Sequence, residues 1–527
     1  MFEKIHLFVM FRSFSLCWPK RNFDEREEIE KNPLSKLGEL TGLGPGATCA
    51  GGPSLFELHE NMTQTEHHLI PLKIAYIGGG SLNWAFTLMG DLAADGRFAA
   101  EVRLYDPDHA AAERNARIGA RYGEVSVGRP ATYRAVREIG EALEGADVVV
   151  VSILPGSFEE MAADIAIPAR YGIPQAVGDT VGPGGFVRAL RSVPMLFEIG
   201  AAVRRYAPEA HVCNLTNPMS VLTDALYRAH PQISAWGECH EVTKLRRQVA
   251  WIANEAAGAR RHGFRDVEVD VIGINHFTFV TGIRLDGRDM MADWAGFARA
   301  HAQGGWHEVE PGKDDDHARY FGSRSRVKFD LFRRFGLPAA AGDRHLAEFL
   351  PAREYLDDPE GWGYALTPVS WRLQDRATRL AQAEALRDGR MAPVAKRSDE
   401  AMLDQFAGLM GDGSHLSNVN LPNRGQVANL PEGAIVETNA RFSAAGVEPI
   451  PAGRLPDALA EVIADHALRQ KGLVDAVLAQ DYGALFPLFA SDPLVRPLAT
   501  GDARRLFGEM LTATRHWLPE ALVGEAA

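Results

Sequence analysis

Residues 73–106 constrain the chain more than any other stretch. Lys73-Ile-Ala-Tyr-Ile77 is a short apolar run that reads as a β-strand, Gly78-Gly-Gly-Ser81 follows at once, and Trp84 to Leu92 has the apolar spacing of a helix. A strand, a glycine turn and a helix in that order let the backbone approach a pyrophosphate, whose charge meets the free N–H groups of the helix start. Position 83 is Asn where G-x-G-x-x-G has its third glycine, so the turn alone is a weak signal. Val102-Arg-Leu-Tyr-Asp106 strengthens it: a second strand ends in an acid 26 residues after Gly80. An acid there hydrogen-bonds the ribose hydroxyls of NAD and repels the extra phosphate of NADP. The plainer reading is a tight turn followed by an Asp-Pro strand end. The combination favours NAD, with Gly78, Gly79, Gly80, Ser81 and Asp106 as its candidate contacts.

The strand-helix alternation continues to about residue 240. Ala146-Asp-Val-Val-Val-Val-Ser152 is continuously apolar, as a parallel strand buried on both faces should be. His211-Val-Cys-Asn-Leu-Thr216 reads as a further strand and places Asn217-Pro218 at its carboxyl end, where open α/β sheets bind ligands. The expected fold class is therefore α/β, a Rossmann-type parallel sheet followed by a second α/β (α+β) domain of lactate/malate dehydrogenase-like C-terminal architecture. Late helices over Leu455 to Gly472 and Val474 to Leu485 have apolar spacing near the 3.6 period.

The chain has 527 residues, which at about 100–200 residues per domain allows two to four domains. The strand pattern organises it as residues 1–70, an N-terminal extension, disordered or preceding the true start; 71–242, the NAD-binding domain; and 243–527, a C-terminal domain for substrate, metal and oligomerisation. With 56 Lys+Arg against 69 Asp+Glu the formal net charge is -13, which argues against nucleic acid or an anionic membrane as partner. No apolar run reaches the about 18 residues of a membrane helix. Four cysteines, Cys17, Cys49, Cys213 and Cys239, are too few for a disulfide framework. With no export signal apparent, the expectation is a cytoplasmic protein acting on a small molecule.

Three strings then carry residue types ill-suited to packing: Gly237-Glu-Cys239-His240-Glu241-Val242, Gly273-Ile-Asn275-His276-Phe277 and Gly342-Asp343-Arg344-His345. A thiolate and a neutral imidazole are good ligands for a divalent transition metal, and Cys239 with His276 supplies one of each. The alternatives are a small buried hydrophobe for Cys239 and a hydrogen-bonded core histidine for His276.

Taken in order, several motifs resemble glycoside hydrolase family 4, the NAD- and metal-dependent glycosidases. They are Ile77-Gly-Gly-Gly-Ser81, Ile167-Pro-Ala-Arg-Tyr-Gly172, Gly178-Asp-Thr-Val-Gly-Pro-Gly-Gly185, Asn214-Leu-Thr-Asn-Pro218, Cys239-His240, Ile274-Asn-His276, Val419-Asn-Leu-Pro-Asn423 and Leu430-Pro431. The resemblance implies that Cys239 and His276 hold a divalent metal, usually Mn²⁺. It also implies oxidation of the sugar at carbon 3 by NAD, proton removal from carbon 2, expulsion of the aglycone, water addition and re-reduction. Asn217 then matches a substrate-contacting asparagine and His240 the position of a general acid. Asp343 falls at about the place of the base, with His345 as its rival, and Asp164 matches a carboxylate thought to raise that base's basicity. The tyrosine that phospho-sugar branches use as base is absent.

Cys239-His240-Glu241-Val242 resembles the α-galacturonidase branch, with Glu241 among the substrate contacts. A uronide carboxylate wants a guanidinium in bidentate geometry, for which Arg344 comes first and Arg188, Arg191 and Arg424 follow. Leu154-Pro155 stands where phosphate-reading relatives carry a polar or basic residue. Relatives imply a homodimer or homotetramer. The competing readings are another family 4 glycosidase (α-glucuronidase, α-galactosidase or α-glucosidase) and a NAD-dependent 2-hydroxy acid dehydrogenase.

Overall fold

The structure, a computed structural model, describes residues 69–306 and 320–522; the N-terminal extension, with Cys17 and Cys49, lies outside them. Residues from Leu69 onward form one compact unit. Six parallel strands make its centre: β1 (Ile70–Ile77), β2 (Phe98–Tyr105), β3 (Thr132–Val136), β4 (Val148–Val151), β5 (His211–Asn214) and β6 (Ser234–Gly237). They lie in the order β3-β2-β1-β4-β5-β6, the dinucleotide-fold order whose direction reverses between β1 and β4.

Alternate residues of the central strands feed two separate cores, as the two-residue period of a strand requires. Ala75 and Ile77 of β1 and Val149 and Val151 of β4 face one core, while Ile74, Tyr76, Val148 and Val150 face the other. Helices cover both faces. Helices α1 (Trp84–Ala94) and α2 (His109–Tyr122) lie on the second core. The other side carries α3 (Phe158–Ala169), α4 (Gly182–Tyr206) and α5 (Met219–Ala229).

The chain beyond residue 242 joins this sheet as well as building a smaller one. After α6 (Thr243–Ala257), β7 (Val267–Ile274), β8 (Phe277–Leu285) and β9 (Arg288–Asp289) form a separate three-stranded antiparallel sheet. The helices α7 (Arg326–Phe335), α8 (Asp343–Leu346) and α9 (Val369–Arg387) follow. Strands β10 (His415–Pro422), β11 (Ile435–Ser443) and β12 (Gly446–Pro449) then extend the parallel sheet beyond β6 with antiparallel pairings.

Two local readings need correction. Strand β3 was not anticipated, because Thr132–Val136 is a sheet edge with one fully buried residue and so lacks a sustained apolar pattern. The two late helices are one: α10 (Asp457–Ala479) runs through Gly472. A Cβ at Gly472 would stand 3.1 Å from Leu488, so this glycine serves close helix packing and not a break. Among the described residues no helix is long and apolar enough to cross a membrane.

Candidate functional site

The turn after β1 is fixed from both sides. The amide N–H groups of Gly78 and Gly79 donate to the Tyr105 carbonyl at 2.9 and 2.8 Å, which ties the turn to the end of β2. Asn115 of α2 donates to the carbonyls of Gly79 and Ser81, and Arg114 to that of Gly80. A Cβ at Gly78, where φ is +95°, would lie 2.0 Å from the Ser152 carbonyl oxygen, and one at Gly79 2.7 Å from Leu104 Cβ. No larger residue fits this turn. Asp106 accepts from the N–H of Gly80 at 2.9 Å and of Asp108 at 2.9 Å. Helix α1 begins two residues beyond Leu82 with no side chain capping its N–H groups, leaving its positive end directed at the turn. The five sequence candidates for NAD thus form one cradle whose residues fit the group.

Successive strand ends bring the remaining candidates to the same edge of the sheet: Ser152 after β4, Asn217 after β5, Cys239 and His240 after β6. The hairpin of β7 and β8 pairs Ile274 with Phe277, so Asn275 and His276 form its two-residue turn, with His276 at φ 65°. His276 lies against two segments far away in sequence. Its Nδ1 is 2.7 Å from Thr180 Oγ1, which itself donates to Asp179 Oδ1 at 2.8 Å. A hydroxyl has one proton; with that proton on Asp179, Thr180 must accept from His276 Nδ1–H, which leaves the lone pair on Nε2. The His345 ring faces the His276 ring with centroids 3.8 Å apart.

Asp179, His276 and His345 each offer one ligand atom, all within 4.8 Å of one another. Burial lowers the pKa of both imidazoles, with Asp179 and Glu241 opposing it at each ring and His276 adding to it at His345, a balance that favours the neutral form. Burial alone would raise Asp179, but the charge around it, with the Arg188 guanidinium positive whatever the state of the two imidazoles, outweighs it and keeps the carboxylate ionised. Two neutral imidazoles and a carboxylate are a donor set for a divalent transition metal. Cys239 stands outside that trio. Burial raises its thiol pKa well above the ordinary value, and Glu437 and Glu241 add to the effect, a negative surrounding that a divalent cation reverses.

The other candidates are placed as follows. His240 donates toward Glu400 at 3.0 Å and stands beside Trp84 at the start of α1, with ring centroids 5.8 Å apart; desolvation would lower its pKa, but Glu400 raises it. Asn217 donates to Asp179 at 3.3 Å and keeps a buried Oδ1 with no partner among the described residues, an acceptor available to a ligand. Glu241 is held by Lys244 at 2.8 Å and by the Gly342 N–H at 2.9 Å, and lies 3.9 Å from His345 Nε2. Asp343 Oδ1 accepts from the Lys328 N–H of α7 at 3.0 Å, its buried Oδ2 has no hydrogen-bond partner among the described residues, and His345, two residues on, faces His276. Asp164 is occupied by Arg191, which donates to both its oxygens at 3.0 and 2.6 Å; the same pair removes Arg191 from the arginines available to a substrate. Arg344 and Arg188 are buried, whereas Arg424 is exposed.

Residues 73–255 match the description Family 4 glycosyl hydrolase, and residues 271–495 match the Family 4 glycosyl hydrolase C-terminal domain. The chain belongs to the family 4 glycosyl hydrolases. It is 45% identical over 441 residues to the alpha-galacturonidase of Bacillus subtilis (strain 168), covering 84% of this chain and 97% of that protein. The alpha-galacturonidase of Thermoanaerobacter italicus is 41% identical over 450 residues, 85% of this chain and 97% of that one. Among solved structures, lplD from Bacillus subtilis, described as a glucosidase, is 44% identical with a TM-score of 0.79, covering 84% of this chain and 100% of that one.

Two members of this family 4 site escaped the sequence: Asp179 and Thr180. Both sit inside Gly178-Asp-Thr-Val-Gly-Pro-Gly-Gly185, where the surrounding glycines read as turn-formers. The usable signal was a carboxylate within a glycine-rich loop, since such a loop can bring its side chain onto another segment.

Proposed function

We propose that this chain is an α-galacturonidase that hydrolyses small α-linked galacturonides with NAD and a divalent metal, Mn²⁺ in the first instance. The 45% identity to an alpha-galacturonidase across 97% of that protein's length carries the reading. The site supports it, because the glycine cradle and the imidazole-carboxylate cluster stand at the same carboxyl edge of one sheet, the arrangement a redox-assisted glycosidase needs.

NAD bound at Gly78–Ser81 and Asp106 would supply reversible oxidation of a ring hydroxyl, and a metal held by Asp179 and His276, with the Cys239 thiolate as the donor the family resemblance adds and His345 left free as a base, would supply a Lewis acid for the oxygen where charge develops. The chain's own residues do the rest. Thr180 fixes the His276 tautomer so that Nε2 faces the ligand. Asn217 presents its unpartnered Oδ1 to a sugar hydroxyl. His345 is the neutral imidazole placed to accept the carbon-2 proton, with Glu241 close to its Nε2 to stabilise the imidazolium. His240, whose pKa Glu400 raises against the effect of burial, is the donor to the leaving oxygen. Asp164 acts through its Arg191 pair, which braces α3 against α4 beneath the site.

The test is hydrolysis of p-nitrophenyl α-D-galacturonide with NAD and Mn²⁺ under reducing conditions, then with each omitted. Activity requiring both is expected. Activity that survives the removal of NAD overturns the mechanism, and activity confined to neutral or phosphorylated sugars overturns the substrate.

A further inference from the structure

The guanidiniums of Arg344, Arg372 and Arg188 stand close enough to Asp179 for its carboxylate to act on each. Arg344 is 5% exposed; its Nη2 donates to Thr367 Oγ1 at 2.5 Å and to the Ala176 carbonyl at 3.5 Å, and its Nε has no partner among the described residues. Its plane lies over the Phe321 ring, 4.8 Å from the centroid. Arg372 stands one turn into α9, five residues after Thr367, and its buried Nε also has no partner among the described residues. Arg188 completes the group, with its Nε spent on the Asn217 carbonyl at 3.2 Å. The three are near enough to act on one another: Arg372 depresses the proton affinity of both Arg344 and Arg188. Asp179, Glu241 and Glu348 act on Arg344, and Asp179, Glu348 and Asp375 on Arg372, while Glu348 already accepts from the N–H groups of Val177 and Gly178 and from Gln175. Among the described residues none of these acids hydrogen-bonds the buried Nε of Arg344 or of Arg372. Burying like charges together costs free energy unless an anion is expected there.

The ring of Trp371, next to Arg372, packs on Phe321 at 5.2 Å and Tyr320 at 5.8 Å, so aromatic surface shields the guanidiniums from water. Shielded guanidiniums discriminate anions through geometry, because the fork of an arginine matches the two oxygens of a carboxylate.

We propose that Arg372, paired with Arg344, receives the carbon-6 carboxylate of the uronide and so determines that the enzyme takes galacturonides and not neutral sugars. This rests on the reading of the chain as an α-galacturonidase, and it adds α9 to the substrate-recognising elements. Neither the spacing of Arg372 from the histidines nor its place on an amphipathic helix marked it in the sequence.

The experiment uses the full chain with NAD and Mn²⁺ and the variants Arg372→Gln and Arg372→Lys. Binding of free D-galacturonate and of glucose 6-phosphate is followed by tryptophan fluorescence, and turnover is measured on p-nitrophenyl α-galacturonide and α-galactoside. Losing one charged hydrogen-bonding partner predicts a rise of about tenfold to a hundredfold in KM and in the D-galacturonate dissociation constant for Arg372→Gln. The kcat on galacturonide and any activity on galactoside stay within about threefold, since the lost contact is the same in ground and transition states. Arg372→Lys recovers part of the affinity. The proposal is overturned if Arg372→Gln keeps D-galacturonate binding within about twofold while folded, if galacturonide and galactoside fall together, or if the unmodified chain prefers glucose 6-phosphate. An unmodified chain that binds D-galacturonate without hydrolysing its glycosides would refute the proposed function, yet the binding arm would still decide the role of Arg372.

Discussion

The glycine cradle and the metal-and-sugar pocket sit at one sheet edge, yet they are built in opposite ways. The cradle is local. Four consecutive residues turn between β1 and α1, and everything that fixes them comes from β2, the start of α2 and the end of β4. The pocket is assembled from separate segments between Asp179 and Arg372, each contributing one to three side chains. A local turn is specified by backbone geometry, so its substitutions act on folding. An assembled pocket is specified by charge and donor chemistry on a frame other residues support, so its substitutions act on function and leave the fold in place.

Replacing a donor in the pocket gives the largest effect. His276→Ala should lower kcat/KM at least about a thousandfold, because the Lewis-acid contribution is worth several kcal/mol, and metal content falls with it. Its thermal midpoint should stay within a few degrees of the parent, measured by calorimetry; an unfolded His276→Ala breaks the comparison. Gly78→Ala should do the reverse. A methyl group 2.0 Å from the Ser152 carbonyl, on a backbone at φ +95°, costs about 3 kcal/mol or more in urea unfolding and weakens NAD binding in proportion. Stability unchanged by Gly78→Ala would show that the turn is not fixed by backbone contact.

Glu348 sharpens the contrast through pH. Burial raises its pKa from 4.5 to about 7, so the folded chain keeps a proton where the unfolded chain releases it. Stability from this group is therefore complete below about 4.5 and is lost as pH rises through about 7, a total of about 3 kcal/mol. Glu348→Gln should flatten that decline between pH 5 and 8 in urea titrations; an unchanged slope assigns it to other acids. The smallest effect belongs to Asp106→Ala. Loss of one charged acceptor should weaken NAD about tenfold and narrow the preference over NADP, read by fluorescence titration. No change in the NAD/NADP ratio would remove Asp106 from ribose recognition.

The same contrast explains what the sequence made legible. The cradle, with Asp106, could be read linearly because its parts are neighbours and their spacing is fixed by strand and turn geometry. Asn217 was legible as a strand-end residue, since β5 stands in an apolar run, whereas Cys239 was legible through its residue type and the family motif. Asp343 and His345 could not be told apart, because a single helical turn points two positions in different directions and spacing carries no azimuth. Asp179 and Thr180 were hidden by the glycines that deliver them, and Arg372 by the ordinariness of a basic residue on an amphipathic helix. Edge strand β3 and the uninterrupted α10 were missed for a simpler reason: exposure blurs a strand's pattern, and a glycine inside a helix looks like its end.

The left-handed backbone at His276 has an evolutionary consequence. The turn between β7 and β8 accepts at this place few residues beyond Gly, Asn, Asp and His. Of these only His carries an imidazole, while residues that might substitute as ligands elsewhere, such as Cys or Glu, meet a backbone they rarely adopt. A drifting gene therefore has no neutral neighbour at codon 276: one set of changes keeps the hairpin and silences the site, the other strains the hairpin. Histidine at this tip is held by two unrelated pressures at once, and loss of activity in a descendant should leave its trace here as Asn or Gly.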